Sequence, residues 1–326
     1  MSLITREDII DIYQKTLQRG LYFIISKLNP NALSRTKSAF SDTAFNSSNW
    51  WIVPKVKERW NQKITSNKAV IYEQYVRDKY LQDKSNLSML SIGSGMCSHE
   101  IEFAGYDSFS KVVCVDIADN LLKRAKEKAD AKGLNNIEFH TNDIRKADYK
   151  KKEFDIILFH SSLHHFSQIE NLISQHITKW LKPDGFLIIN EYVGNNRLQY
   201  DKKQLQYINK GLQGIPTRLR NRYKTNLNKN RYYGSGYLRM VLADPSECVE
   251  SANIIPVLHK FFDIVEEKPY GGNLLMSTLK DISHNFVDVH DQESQHVLQQ
   301  LFDLEDDYLK EHTSDFLFGI YKMKAL

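Results

Sequence analysis

The chain has 326 residues, with 41% hydrophobic residues and a formal net charge of +4. That length allows one large or two smaller domains with a sizeable core, and the mild positive charge neither demands nor excludes an anionic partner. Three cysteines, Cys97, Cys114 and Cys248, are far apart and form no Cys-x-x-Cys pair, which excludes a disulfide framework or zinc knuckle by spacing and fits a reducing compartment.

In chain order, residues 1–86 read as helical. Thr5-Arg-Glu-Asp8 has the form of a capping box, and Ile9, Ile10, Tyr13, Leu17 and Leu21 follow at helical spacing up to Pro30. Arg6, Glu7, Asp8 and Asp11 interrupt any signal-peptide core, and Leu21–Ile25 is too short to span a bilayer. The expectation is a cytoplasmic protein with no membrane partner. Trp50–Pro54 precedes a helix carrying Val56, Trp60 and Ile64, and another helix carries Val70, Ile71, Tyr75, Val76, Tyr80 and Leu81.

From Leu87 strands and helices alternate, the pattern of a parallel sheet covered on both faces. Strands are expected at Ser88–Ile92, Lys111–Val115, Ile137–His140, Phe154–Phe159, Phe186–Asn190, Phe262–Glu267 and Phe316–Met323. A helix from Asn120 to Lys132 stops at Gly133, Ser167-Gln-Ile-Glu170 reads as a capping box opening a helix to Trp180, and Lys182–Gly185 reads as a turn. Between Arg197 and Arg231 ten Lys/Arg stand against one acid, Asp201, with tyrosines interleaved. Residues 195–255 thus form a basic, Tyr-rich insertion. After it, a helix over Pro245–Leu258 is expected.

Ligands of open parallel sheets bind beyond the carboxyl ends of the strands. Four features fall there: the Gly93-Ser94-Gly95 turn, Asp116, Asp143 and the loop Ser161–His165. Asp116 lies about twenty residues past the glycines, where a carboxylate accepts ribose hydroxyls, and Asp143 is placed to accept from an adenine amine. A dinucleotide fits less well, because its fingerprint needs glycine where this chain has Ser98.

On Leu90-Ser-Ile-Gly-Ser-Gly-Met-Cys97, Val113-Cys-Val-Asp-Ile117, Asn142-Asp-Ile144, Phe154–Phe166 and Leu181–Glu191, the sequence resembles the class I S-adenosylmethionine-dependent methyltransferases. The resemblance covers residues 87–194 well and 256–326 loosely, and it departs at Cys97, where that family usually has a third glycine. It implies a Rossmann-like α/β fold: a mostly parallel seven-stranded sheet with an antiparallel last strand, assembled from 87–194 and 256–326. Residues 1–86 would form a helical cap and 195–255 a lid. The implied cofactor is S-adenosyl-L-methionine, with S-adenosyl-L-homocysteine as product. Ser91, Gly93, Ser94 and Gly95 would border its methionine and ribose, and Asp116 and Ile117 its ribose and adenine. Asn142, Asp143 and Ile144 would lie at the adenine, with His160 and Ser161 near the cofactor at the end of strand four.

An alcohol acceptor needs its proton removed and a carboxylate does not, so His165 and His164 are candidate bases and Glu191 a candidate orienting acid. Trp51, Arg218, Arg222 and Tyr233 are candidate contacts to an acceptor that could be anionic. No metal cluster is expected, since His164 and His165 are adjacent instead of spaced along a helix. The expected activity is O-methylation of a small-molecule, natural-product or sugar-type acceptor. An RNA methyltransferase and a non-catalytic cofactor-binding subunit are the alternatives; the low net charge weighs against nucleic acid, and oligomeric state is not readable.

Overall fold

The computed structural model describes residues 2–19 and 48–324. The expected continuation of the first helix to Leu21, the run to Ile25 and the stop at Pro30 lie outside the described residues.

Seven strands form one sheet: β1 Leu87–Ile92, β2 Phe109–Asp116, β3 Ile137–Thr141, β4 Phe154–His160, β5 Leu181–Tyr192, β6 Phe262–Gly271 and β7 Phe316–Met323. They lie in the order β3-β2-β1-β4-β5-β7-β6, and β1 through β5 pair in parallel. The last strand is the antiparallel one, as in the Rossmann-like fold of class I methyltransferases. Val112, Val113, Cys114, Ile156, Ile157, Leu158, Leu187 and Ile188 are fully buried, as expected of central strands covered on both faces. Strand order reverses between β1 and β4, so the ligand crevice opens at the carboxyl ends of β1, β2 and β4.

The helices are α1 Arg6–Arg19, α2 Pro54–Thr65, α3 Tyr72–Tyr80, α4 Ser98–Ala104, α5 Asp119–Ala131, α6 beginning Ile169–Leu172, α7 Lys202–Gly214, α8 Tyr237–Ala243, α9 Ile254–Phe261, α10 Leu275–Leu279 and α11 Gln292–Tyr308. Helix α6 continues through a π turn, Ile173–Ile177, to Trp180. Gly133 closes α5 at φ +71°, while Leu134 N–H bonds Ala129 O.

Local reading failed at three elements. The Ser167–Glu170 capping box does not form: the backbone N–H groups of Gln168 and Ile169 instead donate to the Glu250 carboxylate, 2.9 and 3.2 Å away. The Lys182–Gly185 turn lies within β5 as an irregularity of register opposite Phe154–Ile156. Gly185 is required there, since an added Cβ would meet Asp155 O at 2.8 Å. The helix expected from Pro245 starts only at Ile254, because Ser246 and Asp244 close a side-chain turn ahead of it.

The chain divides into two compact units: residues 70–193, 248–268 and 317–326 in one, residues 1–69, 194–247 and 269–316 in the other. This division differs from the expected boundaries at residues 70–86, which fall with the sheet, and at residues 269–316. The latter group with the N-terminal segment and the insertion, not with the sheet-bearing unit. Ion pairs from Arg59 to Asp306 and from Arg218 to Asp291 bind those segments together.

In this second unit α1 is inverted relative to its apolar spacing. Ile9, Tyr13 and Leu17 are exposed, while Glu7, Asp8, Asp11 and Gln14 are buried. The three acids meet Arg222, Arg239 and Lys280, and those ion pairs fix the helix's rotation.

Candidate active site

The glycine turn grows directly out of β1. Gly93 takes φ +71° and donates its N–H to Val115 O at 2.8 Å, tying the turn to β2. A Cβ on Gly93 would sit 2.6 Å from the Ser162 Cβ, so only glycine fits under the β4 loop. Gly95, at φ +52°, has nothing within 4 Å of an added Cβ, so its face is open. Cys97 is buried and holds φ 50° at the mouth of α4. That left-handed conformation explains why a glycine is usual there: a Cβ costs roughly 1–2 kcal/mol in it.

Asp116 terminates β2 and locks the turn. Its Oδ2 accepts from Gly95 N–H at 2.8 Å and its Oδ1 from Ala118 N–H at 2.7 Å. Burial pushes its carboxyl above the ordinary range, opposed by those backbone donors and by nearby His165. Ile117 N–H also bonds this carboxylate, which leaves acceptor capacity for a ribose hydroxyl. Under the turn, Ser91 Oγ donates to Glu100 Oε1 at 2.5 Å. Ser91 is therefore buried support for the loop and does not present its hydroxyl to a ligand, which corrects its assignment as a contact.

After β3, Asn142 N–H bonds Asp116 O and joins the two strand ends. Asp143 caps the short turn Ile144–Lys146 and takes both backbone and guanidinium donors of Arg145. Burial raises its carboxyl, but the Arg145 bonds outweigh that and hold it below the ordinary range. Ile144 is buried in the core cluster with Leu90 and Val113. It lies beneath the crevice instead of forming a wall of it, contrary to expectation. Ile117 is half-buried beside Asp116.

The loop after β4 separates the two histidines. Glu191 is fully buried. Its Oε1 accepts from the N–H groups of Ser162 and Leu163, and its Oε2 lies 2.7 Å from His164 Nδ1. Ser162 Oγ donates to Ile92 O at 2.6 Å, closing the loop onto β1. Glu191 and His164 are thus spent on holding the loop, which corrects both as reacting groups. His165 is half-buried in the same turn, its ring 4.2 Å from that of His164, and its charge acts on Asp116. Ser161 is exposed at φ 48° and donates its N–H to Asn190 O.

His160 differs from its expected role as a simple cofactor contact. It stacks on Tyr72 and on His99, with Tyr72 Oη 3.1 Å from its Nδ1. Burial, with some help from the charge of His99, pushes its imidazole well below the usual range. His99 in turn bonds Glu73. Tyr72, Glu73, His99 and Glu100 were not found from sequence. They follow no motif, and only the packing of α3 and α4 brings them to this strand end.

The four candidate acceptor contacts all lie in the other unit. Trp51 is exposed. Arg218 is paired with Asp291 and Glu293, and Arg222 is buried against Glu7 and Asp281. Arg222 is buried in its ion pairs, which corrects its assignment to an anionic acceptor, whereas Arg218 pairs with acids at the surface. Tyr233 lies beneath the guanidinium groups of Arg6 and Arg231.

Open space above Gly95, a strand-end carboxylate with unfilled acceptor capacity and a close-packed Gly93 fit an adenosyl group without a pyrophosphate. The geometry is that of a class I methyltransferase. A family model described as a methyltransferase domain matches residues 83–253, just over half the chain. The chain belongs to that family, and its cofactor is S-adenosyl-L-methionine.

It is 31% identical over 127 residues to phosphoethanolamine N-methyltransferase of Plasmodium falciparum, covering 38% of this chain and 46% of that protein. It is 28% identical over 105 residues to an uncharacterised methyltransferase of Bacillus subtilis, covering 32% and 40%. The matched stretch spans less than half of either relative. Among solved structures, the phosphoethanolamine N-methyltransferase 2 of Haemonchus contortus with bound S-adenosyl-L-methionine aligns at TM-score 0.48 and 16% identity, over 78% of this chain and 52% of that one. The [4+2]-cyclase SpnF aligns at 0.46 and 13%, over 78% and 81%.

Proposed function

We propose that the protein transfers a methyl group to the oxygen of a small-molecule acceptor, and that His165 receives the proton when that oxygen is a hydroxyl. The observation that carries this reading is the division of labour in the β4 loop. Glu191 and His164 immobilise it from below, while His165 is half-exposed and its charge acts on Asp116. Bound S-adenosyl-L-methionine supplies an electrophilic methyl and its own leaving group. The protein's share is to place the acceptor in line, exclude water and take a proton, and positioning alone lowers such a barrier by about 7–11 kcal/mol.

Asp116 then holds the ribose, with Ile117 beside it, and Asn142 and Asp143 border the adenine. Ser161 lies near the cofactor at the end of β4, and the stacked His160 supports it from behind. A hydroxyl acceptor makes turnover depend on a neutral imidazole near working pH, while a carboxylate acceptor does not. An amine acceptor is the second reading, favoured by the 31% identity to a phosphoethanolamine N-methyltransferase.

The test is His165→Ala assayed with labelled cofactor, products being identified by mass spectrometry from a panel of phenols, sugars, carboxylic acids and phosphoethanolamine. The expected result is a methyl ether, turnover reduced by about 10²–10⁴-fold in the variant, and unchanged heat of cofactor binding. A methylated amine would replace the oxygen acceptor with nitrogen. Undiminished turnover would remove His165 from the chemistry.

A further inference from the structure

Helix α1 turns its apolar side to solvent. Ile9, Ile12, Tyr13 and Leu17 are 66%, 49%, 52% and 54% exposed, spaced to form one stripe. The stripe continues beyond the helix. Tyr237 and Leu238 donate their N–H groups to Ser2 O and Leu3 O, so α8 starts against the residues that precede α1. From there Leu238 and Leu242, one helical turn apart, are also exposed. On the other side Tyr13 and Leu17 line a groove of about 470 Å³ with Lys224 and Leu227. Isolated exposed leucines need no explanation, but a continuous patch drawn from three segments does.

The helix cannot rotate to bury this stripe. Glu7, Asp8 and Asp11 pair with Arg222, Arg239 and Lys280 at 2.8 Å each. Turning α1 inward would leave those cations unpaired in the interior. The same pairing strips the outer face of negative charge, since every carboxylate of α1 is buried. Arg6, Lys224 and Arg231 are exposed at or around the patch, lying over the rings of Tyr233, Tyr223 and Tyr233.

We propose that this face, the outer side of α1 with Leu238, Leu242 and the Lys224–Leu227 edge, seats the protein on an anionic lipid surface. An apolar stripe bordered by cations, on a helix whose own carboxylates are all buried, is the pattern of a helix lying in the headgroup plane. A second copy of the chain is the poorer occupant. A two-fold contact here would bring Arg6, Lys224 and Arg231 against the same cations of the other copy, whereas anionic headgroups neutralise them. Among the described residues no helix is long and apolar enough to cross a membrane, so the attachment is peripheral. The expectation of no membrane partner came from the lack of a spanning segment, which does not bear on a helix that lies flat.

The full chain is to be spun with vesicles of phosphatidylcholine alone and of phosphatidylcholine with phosphatidylglycerol. The protein is expected to pellet with the anionic vesicles only and to be released by salt. Ile12→Asp with Leu17→Asp should lower the partition coefficient at least about tenfold. Lys224→Glu should lower it several-fold, and Leu242→Asp, on a different helix, supplies an independent measure should the first pair unfold. Circular dichroism and cofactor binding should be unchanged in the variants used. No pelleting with anionic vesicles, or pelleting unaffected by these substitutions, would overturn the proposal. So would a stable dimer in light scattering that Ile12→Asp with Leu17→Asp turns into monomer.

Discussion

Adding one methyl to Gly93 or to Gly95 should damage the protein in opposite ways. Both have positive φ, but at Gly93 the new Cβ strikes Ser162, while at Gly95 it enters open space. Gly93→Ala is expected to lose about 2–4 kcal/mol of stability, combining backbone strain with displacement of the β4 loop. Gly95→Ala should lose only about 1 kcal/mol, yet abolish cofactor binding because its Cβ occupies the adenosyl space. Thermal unfolding and calorimetry on the pair separate the two, and equal losses of stability would contradict the assignment. Glu191 is the other decisive residue. Its buried carboxylate satisfies two backbone donors and one imidazole, so Glu191→Gln should lower the unfolding free energy in urea by about 3 kcal/mol. A cost below about 0.5 kcal/mol would mean that the loop is held by something else.

Among the elements, α6 shows how a local signal is overridden. Its first turn is capped from Glu250, some eighty positions away, while the adjacent Ser167 plays no such part. Glu250→Ala should therefore cost about 1 kcal/mol in chemical denaturation, and Ser167→Ala almost nothing. The reverse order would restore the local capping box. The same physics sets what the sequence reveals. All seven strands and the loops at their ends were legible: the central ones as apolar runs that stop at a glycine or a polar residue, the edge strands β3 and β6 only as short mixed runs with exposed positions. The glycine turn, Asp116 and the His164–His165 loop followed from those stops. What could not be read was which of two adjacent histidines faces inward, since that depends on Glu191 arriving from the next strand. Nor could α1 be oriented, because its polar partners Arg222, Arg239 and Lys280 lie more than two hundred residues downstream. Periodicity shows that a helix has two faces, and only the partners decide which one is buried.

For the molecule as a whole, both units are sewn from three chain segments each, and the seams of the second combine aromatic packing, as of Trp50 on Phe316, with buried polar contacts. One seam ties α7 to residues 273 and 315: Gln204 Nε2 donates to Asn273 O at 3.0 Å and to Asp315 Oδ2 at 2.8 Å. Burial pushes the Asp315 carboxyl from 3.8 up to about 7, the bond from Gln204 works against this, and the negative charges of Glu305 and Asp201 add to it. The folded state thus holds a proton on Asp315 that the unfolded chain releases near pH 4. Between about pH 4 and 7 the folded form binds more protons, so stability falls as pH rises, and the contribution is lost once Asp315 ionises in place. Asp315→Asn keeps the acceptor for Gln204 and removes the titration. The variant is expected to match the wild type at pH 4 and to exceed it at pH 8 by about 2–4 kcal/mol, read from unfolding midpoints across that range. A difference that stays constant with pH would show that Asp315 ionises like a carboxylate in water and that this seam is indifferent to its charge.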